Sequence, residues 1–399
     1  MLQISEKGLL VPASPIRKLV PYADKAKERG IKVYHLNIGQ PDIATPKTAL
    51  EMVRRMRAPV IEYTHSAGNH TLRVKLASYY QKLGIHITEE NILITTGGSE
   101  AILFAFMSTL NEGDEIIIPE PFYANYTAFA IMVGAKIKTV TSKIENNFAL
   151  PPISEFEKQI TSRTKGIVIV NPNNPTGYLY SENELNDLAK LVKKHNLYLY
   201  SDEVYRRYCY DGLKHFSVMN LPGIEENAIL FDSMSKRYSE CGIRVGAIIS
   251  RNMEVLNASL KFGMARLCPP ALGQIAAEAS LDTSEEYFQN VYEEYTKRRN
   301  YLVEALNKIP GVICPVPRGA FYSIVKLPVD DAEIFSQWLL EDFDYNGQTV
   351  MLAPANGFYS TPGLGKNEVR IAYVLKIRDL KKAVETLGVA LKTYPGKTI

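Results

Sequence analysis

Cysteine is scarce in this 399-residue chain: Cys209, Cys241, Cys268 and Cys314 are the four, with no C-x-x-C pair and no histidine at zinc spacing. That argues against a disulfide framework or a zinc module and fits free thiols in a reducing compartment. Long hydrophobic runs are missing too. No apolar stretch approaches the roughly 18 residues that suggest a membrane-spanning helix. The first twenty residues, MLQISEKGLLVPASPIRKLV, lack the uninterrupted apolar core of a secretory signal. Charge of one sign is not in excess: 46 Lys and Arg against 43 Asp and Glu give a formal net charge of +3, too small and scattered to imply nucleic acid or an anionic membrane as a partner. Internal repeats, low-complexity tracts and a flexible linker are absent as well. The expectation is a cytoplasmic protein of closely packed lobes, with no nucleic-acid and no membrane partner.

What is present is an ordinary globular composition, 46% hydrophobic, on a length that predicts two or three lobes at about 150 residues each. Short apolar runs punctuate the middle of the chain: ILITT (92–96), EIIIP (115–119), GIVIVN (166–171), LYLYSDE (197–203), AILFD (228–232) and VGAIIS (245–250). Their apolar residues are mostly consecutive rather than alternating, the pattern of strands covered on both faces. Between several of them lie helical patterns. SENELNDLAKLVKKH (181–195) opens with a serine cap and a glutamate three residues on. Strands alternating with helices predict an α/β, doubly wound, mostly parallel sheet. After residue 283 the character changes. A long amphipathic helix (284–309) leads into a smaller α+β region with a helix near 332–340, strands around 348–352 and 369–375, and a closing helix from 377 to about 392. The expected division is an N-terminal segment (1–45) packing with the small domain, a large domain (46–283) and a small domain (284–399).

In open α/β sheets ligands bind at the carboxyl ends of the strands, so the residues just beyond each strand carry the most information. After ILITT comes GGSEA, where glycines and a serine open a helix whose N–H groups can hold an anion. GIVIVN runs into NPNNPTG, a rigid turn able to aim an amide inward. LYLY is followed by SDEVY, with Asp202 and Tyr205 three residues apart, and AILFD by SMSK, with Lys236 beside Ser233 and Ser235 and with Arg244 further on. A lysine shielded at a strand's end is a good amine nucleophile, and arginine suits bidentate phosphate recognition. Taken singly, each has a plainer reading: a structural turn, a tight loop, a capping aspartate, a solvated lysine. Together they describe a site for a phosphorylated aldehyde with a cationic ring, which is pyridoxal phosphate chemistry.

In that set and order the chain resembles the class I/II aminotransferases of fold type I, the aspartate aminotransferase superfamily, over essentially its whole length. The landmarks are LNIGQPD, YTHSAGNHTLR, TGGSEA, PEPFYANY, NPNNPTG, SDEVY, SMSKRYSECGIRVG and VRIAY. The resemblance implies a large domain built on a seven-stranded sheet, a smaller α+β domain and pyridoxal 5'-phosphate as cofactor. It implies that Lys236 is the residue linked to the cofactor's aldehyde, that Asp202 keeps the ring nitrogen protonated, and that Tyr205 and Asn174 bond the ring hydroxyl. Gly98, Ser99 and the backbone of Glu100 match the phosphate turn. Ser233 and Arg244 match phosphate ligands, and Ser235 matches less well. Tyr123 resembles the aromatic that stacks on the ring, where many members carry tryptophan. Arg370 resembles the arginine that grips the substrate α-carboxylate, with Gly39 lending a backbone N–H. Tyr63 resembles a tyrosine that reaches the neighbouring subunit's phosphate, which implies a homodimer.

The substrate is less legible. SECGIRVG and ARLCPPALGQ lean towards alanine aminotransferases, whereas the single GQPD motif and VRIAYVL are at home in aspartate aminotransferases. Ser14 and Arg17 are candidates for a distal carboxylate, against the plainer reading of Arg17 as an exposed charge. The expected activity is ping-pong transamination of aspartate or alanine with a 2-oxo acid such as 2-oxoglutarate. The alternatives are an aromatic aminotransferase or a C–S lyase or synthase on the same fold. An aminotransferase-like regulator with an added DNA-binding domain is not expected. TGGSEA does not match the G-x-G-x-x-G of a Rossmann dehydrogenase. No metal is expected.

Overall fold

The structure, a computed structural model, describes residues 2–399. In chain order the strands are β1 (Lys32–His35), β2 (Ile92–Thr95), β3 (Glu115–Glu120), β4 (Lys136–Thr141), β5 (Thr164–Val170), β6 (Tyr198–Asp202), β7 (Ala228–Ser233), β8 (Gly246–Ser250), β9 (Tyr322–Lys326), β10 (Gln348–Met351), β11 (Ala353–Pro354) and β12 (Glu368–Ala372). Seven of them form one sheet in the order β2-β8-β7-β6-β5-β3-β4. All neighbours are parallel except at β8, which runs antiparallel to both β2 and β7. This is the expected α/β sheet.

Consecutive apolar residues in these strands serve two cores. Ile116 and Ile118 point to one, packed under the helices Gly97–Thr109 and Asn125–Val133. Ile117 points to the other, with Leu185 and Leu188 of the helix Glu182–His195 and Leu72 and Leu76 of the helix His70–Lys82. Burial on both faces is why β2, β3, β7 and β8 are fully buried and read as unbroken hydrophobic runs. The helix Glu182–His195 starts where its sequence indicates: Ser181 Oγ accepts from the Glu184 N–H, and Glu184 Oε2 accepts from the Ser181 N–H at 2.7 Å.

The rest of the chain makes two smaller sheets, antiparallel β11-β12-β9 and parallel β1-β10. Pairing of β1 with β10 joins the N-terminal segment to the C-terminal region, and Tyr34 and Leu36 enter the core formed by Leu302, Phe321, Val350 and Leu387. The 22-residue helix Glu285–Leu306 borders that core. The run VRIAYVL supplies a strand only to Ala372, which pairs with Tyr322, the first residue of β9; Tyr373 and Val374 remain in the core ahead of the helix Ile377–Thr393. Among the described residues no helix is long and apolar enough to cross a membrane, and no cluster of three or more His, Cys, Asp or Glu could hold a metal ion.

Candidate active site

The carboxyl ends of β6 and β7 and the amino end of the helix after β2 converge on one cavity of about 580 Å³, closed from the other side by the loop after β1 and by β9 and β12. Gly98, Ser99, Tyr123, Asn174, Asp202, Tyr205, Ser233, Ser235, Lys236, Arg244, Gly39 and Arg370 all line it, as do Ser14 and Arg17. Two sequence candidates do not. Tyr63 is 77% exposed and outside this chain's cavity. The Glu100 carboxylate turns back on its own helix, where Oε2 accepts from the Thr96 N–H at 2.7 Å and Oε1 lies 3.4 Å from Arg266 Nε, so only its backbone is free to serve an anion.

The turn from β2 into the helix Gly97–Thr109 depends on glycine. Gly97 has φ +77°, and a Cβ there would lie 2.4 Å from the Arg244 guanidinium. Arg244 itself sits at φ +55°, its NH1 donating to the Cys241 carbonyl at 3.0 Å. A guanidinium is thereby set against the N–H end of a 13-residue helix, two features that both favour an anion. Ser233 caps the short helix Met234–Arg237, its Oγ accepting from the Ser235 N–H at 3.2 Å. Ser235 Oγ is buried on the cavity wall and has no partner within the chain.

Asp202 closes β6. Its Oδ1 accepts from the Val204 N–H at 3.3 Å, and Tyr126 donates to Oδ2 at 3.5 Å. Burial raises its carboxyl to about 7 despite those bonds, and the neighbouring charges of Asp232 and Glu203 add to the rise. Below it lies a buried ionic layer. Arg237 NH2 is 2.9 Å and Arg206 NH2 4.0 Å from the Asp232 carboxylate. Burial alone would raise Asp232; the two guanidiniums overcome it and hold the group at about 2.

Lys236 is half-buried, and its Nζ donates to the Gly39 carbonyl at 2.8 Å. Opposite it, Arg370 is 1% exposed. Its NH1 donates to Asn174 Oδ1 at 3.0 Å and its NH2 to the Asn37 carbonyl at 2.6 Å, while Nε has no partner. Burial lowers its pKa from the usual value without threatening its charge. Tyr123 accepts from Asn125 Nδ2 at 2.8 Å, and burial pushes its phenol up to about 12. Burial also raises Tyr205 well above the usual value; its hydroxyl lies 2.9 Å from that of Tyr322.

Tyr322 carries no signal in the sequence. In RGAFYSIV it reads as one more apolar strand residue, and only the pairing of β9 with β12, which sets Tyr322 opposite Ala372, brings its ring to 4.4 Å from the Arg370 guanidinium. Cys241, half-buried on the cavity wall, is equally silent, because its position comes from the turn between Lys236 and Arg244.

These groups fit pyridoxal phosphate. The glycine cradle under Arg244 and the orphaned Ser235 hydroxyl suit a phosphate. The buried Asp202, poorly matched by neutral hydrogen bonds, suits a cationic ring nitrogen. Lys236 supplies an amine in the same cavity.

Comparison with known proteins leads to the same chemistry. Residues 31–387 match the family model described as aminotransferase class I and II. An aspartate aminotransferase of Pyrococcus horikoshii is 33% identical over 401 residues, covering 98% of this chain and 97% of that protein. An aromatic-amino-acid aminotransferase of Thermococcus litoralis is 30% identical, covering 98% of this chain and 99% of that protein. Among solved structures, an alanine aminotransferase from Pyrococcus furiosus superposes with a TM-score of 0.88 at 29% identity, covering 98% of this chain and all of that one.

Proposed function

This chain belongs to the class I and II aminotransferases, enzymes dependent on pyridoxal phosphate, and on that premise we propose that it transfers the amino group of aspartate or alanine to a 2-oxo acid such as 2-oxoglutarate by a ping-pong mechanism. The observation that carries this reading is a single cavity holding a half-buried amine, Lys236, a buried carboxylate, Asp202, and a buried guanidinium, Arg370.

Bound pyridoxal phosphate supplies an aldehyde that captures amines and a ring that, when protonated, withdraws electrons from the bonds at the captured carbon. The chain's residues do the rest. Gly98, Ser99, the Glu100 N–H, Ser233, Ser235 and Arg244 hold the phosphate. Asp202 keeps a proton on the ring nitrogen, Tyr205 and Asn174 bond the ring hydroxyl, and Tyr123 covers the ring face. Arg370 binds the substrate α-carboxylate as a bidentate fork, assisted by the Gly39 N–H, and so fixes the direction of the Cα–H bond. The Lys236 amine, released when substrate takes its place, removes the Cα proton and holds it as an ammonium.

Arg17 and Ser14 on the cavity rim are the candidates for a distal carboxylate, which supports aspartate. The similar alanine and aromatic aminotransferases keep those substrates in view. The active unit proposed is a cytoplasmic homodimer, in which the exposed Tyr63 reaches the partner's phosphate site. The proposed division of each subunit is a segment 1–45, a large domain 46–283 and a small domain 284–399.

A half-transamination screen tests this reading. Each amino acid is mixed with the cofactor-loaded protein, and conversion of the bound cofactor to its amine form is followed by absorbance. Aspartate or alanine converts fastest and yields a 2-oxo acid without ammonia. Ammonia release would point to a lyase, and a preference for aromatic amino acids would replace the substrate assignment.

A further inference from the structure

Tyr322 touches three groups that have separate tasks in the proposed reaction. Its hydroxyl is 2.9 Å from that of Tyr205 and 3.5 Å from the Gly39 carbonyl, the same oxygen on which Lys236 Nζ rests at 2.8 Å. Its ring faces the Arg370 guanidinium at 4.4 Å. The approach to Gly39 is so close that a Cβ there would fall 1.7 Å from the Tyr322 oxygen. Both phenols are buried, 2% exposed for Tyr322 and 3% for Tyr205, so water does not compete freely for their protons.

A phenol has one proton to give. With the lysine amine on Gly39, the Tyr322 contact to that carbonyl is at the limit of hydrogen-bond length, and Tyr205 is the better acceptor. Tyr205 then keeps its own proton for another acceptor in the cavity. Once the Lys236 amine is committed to the cofactor's aldehyde carbon, it has lost the N–H groups it could spare for Gly39. The carbonyl is left needing a donor, and Tyr322 is the hydroxyl beside it.

We propose that Tyr322 is a positioning residue whose hydroxyl turns with the state of Lys236. It donates to Tyr205 while the lysine amine rests on Gly39, and to Gly39 once that amine is taken up. Tyr205 thus offers its proton to the cofactor's ring oxygen in the first state and spends it on Tyr322 in the second. This rests on the proposed roles of Lys236 as the cofactor-linked amine and Tyr205 as the ring-hydroxyl partner.

The test is a spectroscopic pH titration of the protein loaded with pyridoxal phosphate, following the visible absorption of the lysine-linked cofactor. The charged and titratable groups against Tyr322 are Tyr205, Arg370 and, across the shared Gly39 carbonyl, Lys236, with Tyr123, Tyr208, Tyr295 and Tyr373 near enough to interact with its charge. Tyr322→Phe leaves the others in place and keeps the ring against Arg370. It frees the Tyr205 proton to stabilise the ring oxygen anion, so the transition moves to lower pH, by about one unit. In a Tyr205→Phe background the same substitution moves nothing further. A Tyr322→Phe titration that superimposes on the parent or moves to higher pH overturns the proposal, as does an undiminished shift in the Tyr205→Phe background. A parent protein whose visible band does not depend on Lys236 overturns instead the assignment beneath it.

Discussion

Lys236 Nζ donates to the carbonyl oxygen of Gly39 at 2.8 Å, across 197 residues of sequence. The amine proposed to capture the cofactor is thus held by the loop that closes the other side of the cavity. Lys236→Ala removes both the amine and this tie. Transamination falls by at least about 10³-fold, the scale of a lost acid–base group, and added pyridoxal phosphate is no longer fixed to the chain by borohydride. Mass spectrometry after reduction checks the second outcome without relying on turnover.

Arg370→Lys keeps a positive charge but replaces a planar fork with a point charge. The Michaelis constant then rises about 10- to 100-fold for every amino acid accepted, in line with the roughly 1.5–3 kcal/mol of a charge-assisted hydrogen bond. Steady-state kinetics with two amino acids of different side chain suffice; a rise confined to one of them would place Arg370 near the side chain.

Asp202 makes stability depend on pH. Its carboxyl is raised from 3.8 to about 7 by burial, so the folded chain holds the proton more tightly than the unfolded one. The stabilisation this gives is complete below about pH 4 and is lost as pH rises through about 7, a span worth up to about 4 kcal/mol. Asp202→Asn removes that loss, so urea unfolding of the cofactor-free protein shows the variant gaining on the parent between about pH 4.5 and 8. Adding pyridoxal phosphate narrows the gap at the alkaline end, because a ring cation relieves the buried carboxylate. A gap independent of pH would refute the burial argument.

The layer beneath the site predicts a different stability effect. Arg237→Met leaves Asp232 with only the more distant Arg206, at 4.0 Å. Breaking one partner of a buried pair costs about 3–5 kcal/mol, read as a lower denaturation midpoint. Combining Arg237→Met with Asp232→Asn removes the stranded charge and recovers part of the loss.

Arg17→Ala tests substrate choice. If the cavity-lining guanidinium receives a distal carboxylate, kcat/KM for aspartate drops about tenfold, the effect of roughly 1.4 kcal/mol, while that for alanine stays within experimental error. Equal losses for both would assign Arg17 to something other than the side chain.

Much of this architecture was legible because burial on both faces leaves a plain mark. ILIT and EIIIPE could hardly be anything but interior strands, and Ser181 and Glu184 announce their helix by hydrogen bonds that involve only neighbours in sequence. What stayed hidden depended on distant partners. β4, KIKTVT, lies at the sheet edge, half-covered and with only Ile137 and Val140 apolar, so it offers no hydrophobic run to detect. β1 is a strand because β10, more than 300 residues later, pairs with it. Among site residues, those on motif-bearing turns such as Lys236, Asp202 and Asn174 could be named in advance. Tyr322 could not, since its place beside Arg370 and Tyr205 is set by strand pairing and packing that leave no pattern in RGAFYSIV. Tyr63 is solvent-exposed in the single chain, so the role proposed for it against a second copy cannot be read from this chain's own packing.

The orientation of Arg370 by Asn174 and Asn37, groups of the chain itself, gives its proposed role as carboxylate receptor a kinetic corollary. A carboxylate receptor that is already aligned needs no rearrangement to bind, and it does not read the atom beside the carboxylate. Amino donors and 2-oxo acids both carry that carboxylate. The two substrates and two products would therefore compete for one grip in either form of the enzyme. Dead-end inhibition at high concentrations of either substrate would then follow from recognising all four with a single arginine.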